Sequence, residues 1–294
     1  MEIRVLKYFH TIAEVGTISH AAQLLNITQP TLSRQLKDLE EELGTQLFTR
    51  EKNRMELTEA GYFLKSRAEE LLAISEQTLE DFQSRKGELF SGHLNIGSVE
   101  ADNSDTLAMI LEEFLSDFPQ VTFHIQTGTS PELIEQLDKG LLDVAILLEP
   151  TDVHKYEKLV LPHAEKWGFA THKSSPLSKK TWIEPHDVQG IPMLLAQRKS
   201  IQDLICQWGN FQIDDLNVIG TYNWIANVDR LVENKVGSLI TIEAALSNRK
   251  TENIVFIPLK PEMKTNCVLV WKKSRVLSLV AKEFVERFKY AFEA

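Results

Sequence analysis

Gln29, Pro30, Thr31, Ser33 and Arg34 stand almost side by side in the chain. Short hydroxyl and amide groups of this kind reach base edges in a DNA groove, and one arginine bonds guanine bidentately. Lys37 adds a second cation nearby. Further on, Arg50, Lys52 and Arg54 form a basic tip between two short apolar ends, Leu47-Phe48 and Met55–Leu57. That is the pattern of a hairpin placed to touch sugar and phosphate beside a groove. A second polar set falls where strands are expected to end: Ser98 and Glu100, then Thr127 and Thr129, then Gln197 and Arg198, then Tyr222 and Asn223. In open α/β sheets, ligands bind at the carboxyl ends of strands.

The first set needs two crossed helices to hold it. In ISHAAQLLNITQPTLSRQLKDLE, residues 18–40, Ser19 is expected to cap a helix whose inward residues are Ala21, Ala22, Leu24 and Leu25. Two alanines let another helix cross closely. Asn26 tolerates the left-handed conformation that a tight turn between such helices demands. Thr28 caps the second helix, and Pro30 falls in its first turn, where a missing N–H does little harm. Leu32, Leu36 and Leu39 recur at helical spacing toward the core, leaving the polar set at the outer, amino-terminal end. A helix start also favours phosphate. The plainer reading is a helical hairpin with a solvated charged loop; spacing, capping and the basic tip together favour DNA.

Net charge argues the other way, with 42 acidic against 32 basic residues, a formal −10. The basic groups nevertheless gather on Arg34, Lys37 and the tip, while Glu40, Glu41 and Glu42 lie at the other end of the second helix. Local field governs contact with phosphate. The acidic remainder predicts binding that is salt-sensitive and weak toward random DNA.

At 294 residues the chain is too long for one ordinary core, and its 43% hydrophobic and 25% charged residues are those of a globular protein. The organisation predicted is α+β and multidomain. Residues 1–58 form the DNA-binding domain. Residues 59–90 form one long linker helix opened by Thr58, and 91–294 a two-lobed α/β domain. Along the long helix, Leu64, Ala68, Leu71, Ser75, Thr78 and Phe82 make an apolar stripe, widened by Leu72 and Leu79, that suits pairing with a second helix. HLNIGSV, TLAMILEEFLSDF, VTFHIQTG, ELIEQLDKGLL and DVAILLEP then read as βαβαβ with a parallel sheet. Ser130-Pro131 is the expected helix start, with Ser130 as cap. A second lobe follows, with a helix expected through WIANVDRLVENKVG. CVLVWKK and the closing helix return to the first lobe. Lobe I is thus about 91–160 and 267–294, and lobe II about 161–266, with a cleft between them.

Other classes fit less well. No HExxH, GxSxG, CxxC or glycine-rich phosphate loop is present, and the eight histidines are scattered without metal spacing, so an enzyme is not expected. Cys206 and Cys267 read as buried packing residues. No apolar run approaches the ~20 residues that span a bilayer, and MEIRVLKYFH shows no signal-peptide core. The default is a reducing cytoplasm, with no membrane partner, cofactor or metal. The alternatives are a solute-binding protein, or an architectural DNA protein without ligand-controlled transcription.

AAQLLNITQPTLSRQLKDLEEELGTQLFTR followed by LTEAG resembles the N-terminal domain of LysR-type transcriptional regulators, bacterial winged helix-turn-helix proteins. The resemblance spans the whole chain: winged domain, linker helix, and an effector domain resembling periplasmic solute-binding proteins. It implies that Gln29, Pro30, Thr31, Ser33 and Arg34 belong to the recognition helix, and Arg50 and Arg54 to the wing. Asn53 departs from the arginine many members carry, with Lys52 beside it as a point charge. It further implies a homodimer through antiparallel linker helices, dimers paired into tetramers, and double-stranded DNA bearing an interrupted inverted repeat. RNA polymerase is a further candidate partner. Positions such as Ser98, Thr127 and Thr129 hold small effectors, often carboxylates, in the resembled family. Glu100 departs from that, since an uncompensated carboxylate repels an anion. Three readings stay open: an effector bearing an amine or hydroxyls, a Glu100–Arg198 pair across the cleft, or Glu100 in solvent.

Overall fold

Threonine, asparagine and glycine set the turns of the first unit, Met1–Gly87; the second unit is Glu88–Ala294. The computed structural model describes residues 1–51, 54–84, 90–101, 104–247 and 252–292. Helix α1 (Ile3–Val15) ends at Gly16, and α2 (Ile18–Leu24) begins after Thr17, whose hydroxyl accepts the His20 N–H at 3.4 Å. Thr17 therefore takes the capping place expected of Ser19. It is the extended residue preceding the helix, whereas Ser19 lies within it. The inward stripe is Ile18, Ala21, Ala22 and Leu25, which leaves Leu24 on the flank and 57% exposed, against expectation. Asn26 turns the chain at φ 53°, in the left-handed region.

Helix α3 (Gln29–Leu43) starts at Thr28, whose hydroxyl accepts the Thr31 N–H at 3.4 Å, with Pro30 in the first turn. Leu32, Leu36 and Leu39 pack into one core with Leu6, Phe9 and Ile12 of α1. Strands β1 (Phe48–Glu51) and β2 (Arg54–Leu57) pair antiparallel, Phe48 opposite Leu57 and Glu51 opposite Arg54. Helix α4 (Glu59–Ser84) opens on the Thr58 hydroxyl, which accepts the Gly61 N–H at 3.0 Å. Gly61 has a steric cause, since a Cβ there would stand 2.1 Å from the Leu47 carbonyl oxygen. The expected stripe on this helix divides. Leu64, Ala68 and Leu72 pack into the core of their own unit, while Leu71, Leu79 and Phe82 are exposed.

In the second unit, β3 (Ser91–Ser98), α5 (Ser104–Asp117), β4 (Gln120–Thr127), α6 (Ser130–Lys139) and β5 (Val144–Leu148) form the expected βαβαβ, with β3 pairing β4 and β5 in parallel. Strand β6 (Tyr156–His172) runs 17 residues into the rest of the sheet. Then come β7 (Met193–Ala196), α7 (Lys199–Gly209), β8 (Val218–Tyr222), α8 (Asp229–Glu233), β9 (Ser238–Ile242), α9 (Ala244–Ser247), β10 (Ile254–Pro258), β11 (Lys264–Lys272) and α10 (Leu279–Phe292). The strand order is β4-β3-β5-β11-β6-β9-β7-β8, with β10 on β6.

The helix expected through residues 224–237 is a 3-10 turn at Ile225–Asn227 and the short α8. Buried Asp229 accepts the Arg230 N–H at 2.7 Å and restarts the helix, and Lys235 at φ 61° ends the run before β9. Near the carboxyl end, β11 sets Val268 opposite Leu147 of β5, and α10 sets Phe284 edge-on to Phe114 of α5, ring centres 5.5 Å apart. Arg287 fastens the same contact through Glu113 at 3.0 Å and Asp117 at 2.6 Å. Along β6 and β11 the register slips. Asn266 faces Ala164 and Val268 faces Val160, leaving residues 161–163 as a bulge that contains Pro162. Among the described residues, no helix is long and apolar enough to cross a membrane.

Candidate functional site

On the first unit, Gln29, Pro30, Thr31, Arg34 and Lys37 are exposed and Ser33 is half-buried, all on the same helix α3. The first turn of α3 holds no acidic residue, so the positive end of the helix dipole is left uncompensated by side chains. Arg34 has Asp38 at 3.9 Å and Lys37 has Glu41 at 3.2 Å, each one turn on. Exposed pairs of this kind are worth under about 1 kcal/mol and are readily exchanged for phosphate. Arg54 is exposed on β2, and Arg50 lies on β1 opposite Met55. Lys52 and Asn53 lie outside the described residues.

Glu40 does more than end the helix with negative charge. Its carboxylate accepts the N–H groups of Leu47 at 2.7 Å and Phe48 at 3.3 Å, fastening the hairpin to α3. The Met55 N–H donates to the Gly16 carbonyl at 2.8 Å, and Phe48 stacks on Phe9 at 5.4 Å. Helix α3 and the hairpin are thereby held in one register. Sequence reasoning missed this role of Glu40, whose partners are backbone groups that carry no side-chain signal. Elsewhere in this unit His10, Glu14 and Glu69 converge, but the Lys65 ammonium already sits on Glu14 at 2.6 Å and Glu69 at 3.9 Å.

On the second unit, a cavity of about 370 Å³ opens at the ends of β7 and β8 and the starts of α6 and α7. Glu100, Thr129, Gln197, Arg198 and Asn223 line it, as does Tyr222. Ser98 and Thr127 do not: Ser98 is buried with its hydroxyl on the Val99 carbonyl at 3.1 Å, and Thr127 is exposed at the end of β4. Side chains alternate across a strand, and the lining residue here is Val99, one position on.

The start of α6 also differs from expectation. Thr129, not Ser130, is the cap residue, and the Glu132 carboxylate accepts both its N–H and its O–H at 2.8 Å. Ser130 is left for longer-range bonds, donating to the Leu148 carbonyl at 3.4 Å and accepting from the Leu148 N–H at 3.3 Å and from Arg198 Nη1 at 3.1 Å. Arg198 further donates to Ser200 Oγ at 2.9 Å, to the Leu148 carbonyl at 2.8 Å and to the Pro150 carbonyl. Its partners across the cavity are thus a serine and two carbonyls rather than Glu100. Burial pushes the guanidinium down to about 10. Burial likewise pushes the Tyr222 hydroxyl up to about 12, against a hydrogen bond with Thr241 that pulls it down.

The walls are largely apolar, with Trp167, Trp224, Ile201 and Ile242 among them. Trp167 is fixed by its indole N–H on Thr265 Oγ1 at 3.0 Å. Neither tryptophan was expected at the site; Trp224, next to Asn223 in sequence, carried the one available hint.

Comparison with known proteins follows the two units. Residues 3–62 match the family model described as bacterial regulatory helix-turn-helix protein, lysR family, and residues 87–293 match the LysR substrate binding domain. The chain is 28% identical over 303 residues to the DNA-binding transcriptional dual regulator OxyR of Escherichia coli, covering 98% of this chain and 95% of that protein. It is 37% identical over 150 residues to the HTH-type transcriptional regulator YtlI of Bacillus subtilis, covering 51% of this chain and 48% of that one. Among solved structures, CbnR, a LysR family transcriptional regulator, matches with a TM-score of 0.75 at 21% identity over 99% of both chains. Full-length CbnR complexed with its target DNA matches with the same TM-score and identity, over 99% of this chain and 100% of that one.

Proposed function

The chain belongs to the LysR family of bacterial transcription regulators, and from that premise we propose how its residues divide the work. It is a DNA-binding regulator rather than an enzyme. The observation that carries the assignment is the start of α3, exposed, free of acid and flanked by a hairpin held on Glu40. Gln29, Thr31, Ser33 and Arg34 read base edges, with Pro30 shaping the approach. Lys37, Arg50, Lys52 and Arg54 meet phosphate.

Residues 1–58 bind DNA and 59–90 link. In 91–294, lobes parting near 160 and 267 hold a small-molecule effector in the 370 Å³ cavity. Among the expected contacts Glu100, Thr129, Gln197, Arg198 and Asn223 stay in this reading, and Ser98 and Thr127 leave it. The protein acts in the cytoplasm. Leu71, Ile74 and Leu79, exposed on α4, support pairing with the same helix of a second copy. Dimers then pair into tetramers, and the operator is an interrupted inverted repeat. An effector that prefers one state of the cleft shifts the assembly toward that state, and with it the bend in DNA presented to RNA polymerase.

Peroxide, the inducer in the names of several relatives such as the hydrogen peroxide-inducible genes activator of Pectobacterium carotovorum, is a poorer reading. Oxidation proceeds through an accessible thiolate. Cys267 is fully buried in β11, and burial raises the half-buried Cys206 thiol above its ordinary value.

Selection of bound duplexes from a random library tests the assignment. The expected outcome is enrichment of an interrupted inverted repeat; a library that stays random sinks it. Light scattering on Leu71→Asp/Leu79→Asp checks the assembly, with loss of the dimer expected.

A further inference from the structure

The cavity presents two opposite charges to a ligand. Arg198 is half-buried beside the start of α6, and its four bonds go to Ser130, Ser200 and the carbonyls of Leu148 and Pro150, all neutral acceptors. A guanidinium has five N–H donors, so one is left over. Among the described residues no carboxylate stands within ion-pair distance of it. Its pKa, brought down by burial to about 10, is that of a cation short of a counter-ion. An anionic group entering the cavity supplies one.

The same lining carries Glu132 and Glu100. Glu132 commits one oxygen, Oε2, to Thr129, while Oε1 makes no hydrogen bond among the described residues. A ligand bearing only a carboxylate meets repulsion here, and one bearing only an amine meets it at Arg198. Between the charged ends lie Trp167, Tyr222, Trp224 and Ile201, surfaces for an apolar group, and aromatic faces attract a nearby cation as well. Gln197 and Asn223 are exposed into the opening, and their amides make no side-chain hydrogen bond among the described residues. A volume of about 370 Å³ suits a small molecule.

We propose that the effector is a zwitterion of amino-acid type with an apolar or aromatic side chain: its carboxylate sits against Arg198, its ammonium toward Glu132, and its side chain on Trp167, Tyr222 and Trp224. This assignment rests on the reading of the cavity as the effector site.

Thermal unfolding of the full chain with L-leucine, L-phenylalanine and L-tryptophan tests it, beside 3-phenylpropanoate, which lacks the ammonium, and 2-phenylethylamine, which lacks the carboxylate. One of the amino acids, at a hundred times its Kd, is expected to raise Tm by about 5 °C or more. Analogues lacking one charge bind at least about tenfold more weakly. Glu132→Gln should narrow the gap to 3-phenylpropanoate and Arg198→Gln the gap to the amine, selectivities that simple loosening of the fold does not move. A singly charged analogue binding as tightly as the amino acid overturns the zwitterion, and so does an unmoved Tm with every amino acid. Ala245→Phe, or Ala196→Leu where the first does not fold, fills the cavity. Loss of a singly charged ligand's shift in the filled variant leaves the cavity reading standing while the zwitterion falls. A shift that survives the filling removes the cavity reading, and the zwitterion with it.

Discussion

Helices α3 and α6 begin on nearly the same four residues and do opposite things with them. One reads Thr28-Gln29-Pro30-Thr31, the other Thr129-Ser130-Pro131-Glu132; both place proline in the first turn, and both end on a glycine in the left-handed region, Gly44 at φ 68° and Gly140 at φ 77°. At the third helical position, α3 has a neutral hydroxyl, 2.7 Å from that of Thr28, and α6 a carboxylate bonded twice to its cap residue. The carboxylate brings a negative charge to the start of α6, while the Thr31 hydroxyl brings none to α3, whose N–H groups beyond the one capped by Thr28 and whose partial positive charge remain for whatever approaches from outside. One side chain thus separates a helix start suited to DNA phosphate from one closed by its own acid.

Thr31→Glu should close α3 in the manner of α6. The new carboxylate faces phosphate, and operator binding measured by fluorescence anisotropy should fall roughly a hundredfold, about 3 kcal/mol. The melting temperature should hold or rise, and neutral Thr31→Gln should lose far less. Arg34→Ala is next, weakening discrimination between operator and random DNA by about 2 kcal/mol; equal losses on both would remove Arg34 from base readout. Thr28→Ala removes the cap of α3 and Glu132→Ala the carboxylate that holds the cap residue of α6, and chemical denaturation should show about 1 kcal/mol for each. Unequal losses would mean that the long-range bonds of Ser130, rather than the cap, carry the start of α6. Arg54→Ala should weaken all duplexes alike and lower the salt slope by about one.

The smallest expected effect lies away from both helix starts. The Lys65 hydrogen bond holds the Glu14 carboxyl below its ordinary range and raises the Lys65 ammonium above its own. A lowered carboxylate contributes above its unfolded pKa and is lost as pH falls through the folded value; a raised ammonium contributes at low pH and is lost as pH rises through its own folded value. Glu14 is exposed and Lys65 half-buried, so solvent screens the pair and Lys65→Met should flatten only a shallow acid limb in a Tm-versus-pH series.

The two helix starts also differ in how far sequence reaches. The α2–α3 turn was legible down to Asn26 and Thr28 because caps, left-handed residues and apolar spacing are local signals. Thr17 and Ser19 stand two apart and are chemically equivalent, so only the backbone chooses between them. The βαβαβ run could be read from strand texture and connection length. The cavity could be read only in part. Whether Ser98 or Val99 faces it depends on a pleat phase set by neighbouring strands. Arg198 finds Leu148 and Pro150 through carbonyls some 50 residues distant in the chain, which no spacing announces. The apolar stripe of α4 looked uniform because periodicity reports that a face is covered, not by what.

The bulge at residues 161–163, where β6 slips against β11, also sets a mechanical property. A ladder interrupted by extra unpaired residues bends more readily there than along its paired stretches. In the function proposed above, a ligand that closes the cleft would turn the two lobes about this interruption, where β6 and β11 are least tied to one another.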